Sequence, residues 1–174
     1  MSLPDEPGVP VLQAGEYWIT AANSRAWLDE GHHGEMDYLA KHLAAKESPE
    51  NLLPAVGSVI AVALNYNQLN PVLPGYPRMA RYALGRDYHK VLRAKLRKMA
   101  AFIEARYPGT SCRACVDSAP IMERDFAQLA GLGWFGKNTC LINAEHGSWL
   151  FLGEIISTLP LEPDAQALEQ CGSC

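Results

Sequence analysis

No stretch of the sequence approaches the ~18 to 20 consecutive apolar residues of a bilayer-spanning helix. The first residues, MSLPDEPGVPVLQAGEY, lack the basic-then-apolar order of a secretory signal. A soluble cytoplasmic protein with no membrane partner is expected. Cysteine is sparse: Cys112, Cys115, Cys140, Cys171 and Cys174 are an odd number, which disfavours an extracellular disulfide framework and leaves reduced thiols as the default. Charge of one sign is also in short supply, since the formal net charge is only −4. Nothing in that total points to a nucleic-acid coat or a membrane surface, and a local basic face is left open, so the sum does not decide partners. Repeats and low-complexity segments are missing too. What the chain does have is 174 residues at 48% hydrophobic composition, enough for one domain with a sizeable core and too little for two independent ones.

Residues 1–23 are expected to be irregular, being rich in Pro, Gly and acid near the start. Ser24 to His42 reads as two short helices broken at Gly31–Gly34, with His32 and His33 in the break as a solvated pair lacking a third metal ligand. Val59 to Leu64 (VIAVAL) is a continuous apolar run of strand length, the pattern of a central strand covered on both faces. The proline- and glycine-bearing segment that follows reads as a long loop of the kind that carries function, ending at Arg81 and Tyr82. Asp87 then caps a helix to about Tyr107, with Leu92, Leu96, Met99 and Ile103 on its inner stripe. Arg86, Lys90, Arg93 and Arg97 follow the same period on another side, either as a solvated face or as a track for RNA phosphates.

Cys112 to Val116 reads as a short strand, so the thiols of its CxxC point to opposite faces and cannot grip one ion. The chain then passes through Asp117-Ser118-Ala119-Pro120 into a helix whose first turn takes the proline, with Met122, Phe126, Leu129 and Ala130 inward and Gly131 as its stop. Asp117 thus sits at a strand end beside a helix start, where it either caps the helix or does chemistry. GLGWFGKNT comes next, in a loop between that helix and a strand at Cys140-Leu141-Ile142, with Asn143 to Gly147 as a turn and Trp149 to Ile156 as hairpin partner. A dinucleotide fingerprint needs strand, then GxGxxG, then helix; the order here is reversed, which speaks against a Rossmann site. A bare backbone flanked by Trp134, Phe135, Lys137, Asn138 and Thr139 suits a large flat ligand with amide or phosphate groups, or else is a tight packed turn. The terminal CGSC has the spacing that opens a ferredoxin-type cluster run, and two ligands alone cannot close a cluster.

VDSAPIMERDFAQLAGLGWFGKNTCLI, RYALGRDYHKVLR, HGSWLFLGEI and the terminal CGSC occur together and in order, and with them the sequence closely resembles the epoxyqueuosine reductases, which act last in making the tRNA wobble base queuosine. The resemblance runs from about Trp27 to Cys174 and covers roughly the first half of a typical member, without the two-cluster ferredoxin module and helical repeats that follow there. It implies an α+β fold with a central mixed or antiparallel sheet flanked by helices, similar to the nitroreductase-like cobalamin domain of reductive dehalogenases. The cobalamin-binding catalytic domain would span residues 24–160, and residues 161–174 would be a connector and the start of the ferredoxin-type motif.

The resemblance further implies cobalamin and 4Fe-4S clusters as cofactors, an external electron donor, and tRNA carrying epoxyqueuosine as substrate. Asp117 matches the family's proton donor. Arg81, Gly133, Trp134, Gly136, Lys137, Asn138 and Thr139 fall on cobalamin contacts, and Cys171 and Cys174 on cluster ligands. Lys46 stands where the family pattern leads one to expect arginine, and a strand usual before the Trp27-Leu28 helix is not obvious. A cobalamin-binding piece inactive by itself is therefore expected. Two rivals remain: a flavin-dependent, nitroreductase-like oxidoreductase with the glycine loop against an isoalloxazine, and a non-catalytic module that binds RNA along the basic stripe.

Overall fold

The computed structural model describes residues 11–12, 18–67, 75 and 79–172. Most of the loop after Asn67, and Cys174, lie outside them. The central sheet contains β1 (Val11–Leu12), β2 (Ser58–Asn65), β3 (Cys112–Cys115) and β6 (Leu150–Ser157), in the order β1-β2-β6-β3. Every pairing is antiparallel, so of the two sheet types expected the antiparallel one holds. β2 and β6 pair along their whole length, from Ser58 opposite Ser157 to Asn65 opposite Leu150. The apolar run at 59–64 is central, as its composition implies.

The stretch 1–23 is not uniformly irregular. Val11 and Leu12 pair with Ile60 and Val59 as the edge strand that the sequence did not reveal, and helix α1 (Trp18–Asp29) runs straight through the expected boundary at residue 24. A two-residue strand carries too little periodicity to be read; the exposed edge of β2 creates it by offering unpaired backbone groups. α2 (Asp37–Lys41) follows the glycine-bearing turn, then α3 (Leu43–Glu47).

Alternation along β2 and β6 sends side chains into two cores. Val59, Ala61, Cys115 and Ile156 pack with Phe126, Ala127 and Ala130 of the α5 (Glu123–Leu129) region. Ile60, Ile155 and Val116 pack with Leu92, Leu96, Ala100 and Ile103 of α4 (Tyr88–Arg106). Met99 is half-buried and packs against the same cluster, and Ala100 joins the stripe at its edge as a buried member. Asp87 caps α4, its carboxylate accepting the His89 N–H at 3.0 Å. The thiols of Cys112 and Cys115 join opposite cores, as a strand requires.

Two local expectations fail. Pro120 is not in the first turn of α5, which begins three residues later, because the chain first turns tightly, with the Ala119 N–H bonded to the Val116 carbonyl and the Ile121 N–H to the Ala119 carbonyl. Leu141–Ile142, strand β5, does not pair with 149–156. It pairs with β4 (Trp134–Phe135), Trp134 opposite Ile142 and Phe135 opposite Leu141, so the glycine segment is itself a hairpin. Gly133 permits that pairing: a Cβ there would lie 2.2 Å from the Ile142 carbonyl oxygen.

Candidate functional site

β3 ends at Cys115, and two residues later Asp117 takes a φ of +42°, a left-handed value rare for a residue with a side chain. Its carboxyl is half exposed and does not cap α5, whose N-cap residue Met122 has no side-chain cap bond. The capping alternative therefore falls. Instead Asp117 Oδ2 lies 2.7 Å from His89 Nε2, while His89 Nδ1 lies 2.9 Å from Asp87 Oδ1. An imidazole facing carboxylates at both nitrogens is best served as the imidazolium, a donor on both sides. The hydrogen bond to Asp117, then that to Asp87, accordingly raises the His89 pKa above its ordinary value. Asp117 and His89 together hold a transferable proton at an open strand end.

The Asp117 N–H donates to Glu123 Oε1 on the first turn of α5. Burial, and then the nearby Asp117 charge, push the Glu123 carboxyl up to about 7, against the opposing effects of that N–H and of Arg124. Arg124 in turn donates from Nη1 to the Thr139 carbonyl, which ties the start of α5 to the hairpin tip. The acid and the glycine segment are therefore connected through two adjacent residues, Glu123 and Arg124.

A row of rings leads away from this pair. Tyr88 stacks on His89 at 4.0 Å and lies parallel to Phe151 at 3.9 Å. Phe151 meets Tyr66 at 4.3 Å, and Tyr66 meets Trp149 edge-on at 5.8 Å. The Arg81 guanidinium closes the row 4.6 Å over the Trp149 ring and also donates to Asn67 Oδ1. Tyr66 has its pKa raised by burial and then by the charge of Cys140, which places the end of the hairpin beside the same rings. The result is an aromatic shelf of stacked, tilted and edge-on rings, with the Asp117–His89 pair at one end and the Arg81 guanidinium at the other.

Not every expected site residue turns toward that shelf. Gly133 is used by β4–β5 pairing, and a Cβ on Gly136 would lie 2.4 Å from Ile142 Cδ1, so both glycines answer to their own hairpin. Asn138 Oδ1 accepts the Cys140 N–H at 3.1 Å, and Lys137 Nζ donates to the Gly172 carbonyl at 2.8 Å. Thr139 has a φ of +66° and offers its carbonyl to Arg124. Trp134 is the exception: its Nε1 is a buried donor without a partner among the described residues. An orphaned indole donor in a glycine hairpin fits a broad ring fringed with amide oxygens.

The segment leading to Cys171 lies across the same hairpin. Ala165 passes so close to Gly131 that a Cβ there would sit 2.5 Å from its carbonyl oxygen, and the Ala167 N–H reaches the Gln128 carbonyl at 3.3 Å. Cys171 is exposed, and Cys174 lies outside the described residues. The basic stripe divides: Arg93 donates to Ser118 Oγ at 3.1 Å, next to Asp117, whereas Arg86 and Lys90 line a surface depression with Lys95 and Lys98. Arg97, one turn beyond Arg93 on the same side of α4, is exposed.

His89, Tyr88, Glu123 and Phe151 escape sequence reasoning. The one readable signal was Asp87-Tyr88-His89, a cap followed at two residues by a histidine able to meet the same carboxylate.

Comparison with known proteins agrees with this architecture. The family model described as epoxyqueuosine reductase QueG, DUF1730, matches residues 46–118. An epoxyqueuosine reductase of Gloeobacter violaceus is 50% identical over 150 residues, covering 85% of this chain and 46% of that protein. The structure of epoxyqueuosine reductase from Streptococcus thermophilus superposes with a TM-score of 0.81 at 26% identity, over 97% of this chain and 46% of its own. Another, a crystal structure of epoxyqueuosine reductase with an epoxyqueuosine-modified tRNA stem loop, gives a TM-score of 0.75 at 27% identity, over 97% of this chain and 46% of its own. The fold is thus that shared with these solved epoxyqueuosine reductases. This chain belongs to the epoxyqueuosine reductase family, and spans about half the length of the curated relatives it matches.

Proposed function

We propose that this chain forms the substrate-facing and cobalamin-facing part of an enzyme that reduces epoxyqueuosine to queuosine in tRNA. The Asp117–His89 pair carries the reading, because removal of an epoxide oxygen needs a proton delivered to the departing oxygen, and here a strand end presents a carboxyl 2.7 Å from an imidazole that itself leans on Asp87. Asp117 touches the reacting oxygen and gives up the proton; His89, whose pKa is raised by its bonds to Asp117 and Asp87, returns one to it. Cobalamin, when bound, supplies the electrons at carbon and is recharged from 4Fe-4S clusters by an external donor.

Trp134 Nε1 and the backbone of Gly136 to Thr139 would hold the ring, with Arg81 at the far end of the shelf. Lys137 and Asn138 act from behind, by fixing the hairpin. The layout is that of the cobalamin domain of reductive dehalogenases, with a nitroreductase-like sheet. Cys171 and Cys174 would supply two cluster thiolates, and two cannot close a four-iron cluster. Arg86, Lys90 and Arg97 offer charge to the tRNA backbone. Such a substrate places the enzyme in the cytoplasm. No helix of the described residues is long and apolar enough to cross a membrane.

The test is a titration of the purified chain with cobalamin, read by absorption. A base-off spectrum with saturable binding is expected. Asp117→Asn should bind as tightly, and in a chain of the relatives' full length should lower turnover by at least a hundredfold. Binding of flavin with no response to cobalamin would overturn the assignment in favour of a flavoenzyme. Binding of RNA alone would leave a non-catalytic module.

A further inference from the structure

The turn that carries Asp117 is held at two points, and only one of them belongs to the proton transfer. His89 takes the carboxyl; Glu123 Oε1 takes the backbone N–H. A φ of +42° at a residue with a Cβ does not persist without such restraints. Ser118 adds a weaker one, its Oγ accepting from Arg93 at 3.1 Å.

We propose that Glu123 is the positioning residue for Asp117, gripping its amide so that the strained turn aims the carboxyl at His89 and the open side of the shelf. The inference rests on the proposed role of Asp117 for its catalytic meaning, but not for its geometry. Charged and titratable groups face Glu123 from the elements around it: Asp117 from the turn, His89 and Tyr88 from α4, Cys115 from β3, Arg124 from its own helix and Glu154 from β6. Glu154 is 0% exposed with neither oxygen bonded among the described residues, and burial, then the nearby Glu123, push its pKa well above the ordinary carboxyl value. Glu123 is thus the member of the buried pair free to ionise near neutrality. A carboxylate accepts an amide hydrogen bond roughly twice as strongly as a neutral oxygen does. The turn is therefore held tightly when Glu123 is charged and loosens when it is protonated.

The experiment follows the Asp117 amide in the purified 174-residue chain by nitrogen-15 NMR from about pH 5.5 to about pH 8.5. Its proton shift should move downfield with a midpoint near 7, and that step should survive His89→Ala, which removes the other group able to titrate there. Glu123→Gln should abolish the step yet keep the amide protected. Glu123→Ala should speed its hydrogen exchange about tenfold or more, while amides of β2 and β6 keep their protection. Should Glu123→Ala not fold, the midpoint in the parent and its loss in Glu123→Gln still decide the matter. A midpoint that persists in Glu123→Gln, or unchanged Asp117 exchange in folded Glu123→Ala, overturns the proposal. None of these readings involves cobalamin, so failure here leaves the proposed function standing, and failure of the cobalamin titration leaves this grip standing.

Discussion

Asp117 could be found from its place in the chain, as an acid just past a strand; His89 is marked locally only as a neighbour of the Asp87 cap, and nothing in the sequence joins it to Asp117. Its importance arises only when the first turn of α4 is laid beside the end of β3, an apposition that sequence periodicity does not encode. The pair has a measurable signature. His89 is raised above 6.5 in the folded protein, so its contribution to stability is complete below the unfolded value and is lost as pH rises through the higher folded one. Glu123, raised from 4.5 to about 7, works in the same direction over its own window. Urea unfolding at about pH 6 and about pH 8.5 should show lower stability at the higher pH, and His89→Gln should shrink that difference. A variant with the full parental pH dependence would show that the imidazole is not bound as described.

Among the elements, α4 and β2 were legible almost in full, one by its cap and its 3.6-residue stripe, the other by an unbroken apolar run. The short pieces were not. Trp134–Phe135 and Leu141–Ile142 are too brief to show alternation, and the longer run at 149–156 looked the better partner for Leu141 until β2 and β3 were seen to occupy both its edges. The glycines themselves carried the missing information. Gly133 is a glycine because Ile142 lies against it, and Gly133→Ala would force a methyl into the Ile142 carbonyl. We expect a loss of about 1–3 kcal/mol or more in urea unfolding, with weaker cobalamin binding because the hairpin opens. Parental stability in that variant would mean that β4 and β5 do not pair so closely.

At the scale of the whole molecule, the long helix and the long strands were readable from their apolar periods and the α+β class followed from the family resemblance, whereas the edge strand at Val11–Leu12 is specified by β2 rather than by its own residues. The central sheet contains one residue that no reading of hydropathy would place there, Glu154, set between Ala61 and Cys115. A buried acid without a partner lowers stability. Glu154→Met, similar in volume and apolar, should raise the unfolding free energy by about 1–3 kcal/mol. A destabilised variant would instead reveal a polar contact that the carboxyl makes.

The tail that drapes over Gly131 and meets Lys137 at Gly172 gives the molecule a mechanical property. The sulfur-bearing end of the chain and the glycine hairpin are lashed together, so a tug on either is felt by the other. Electron delivery and ring seating would then share one lever, and loosening Lys137 would slacken both at once.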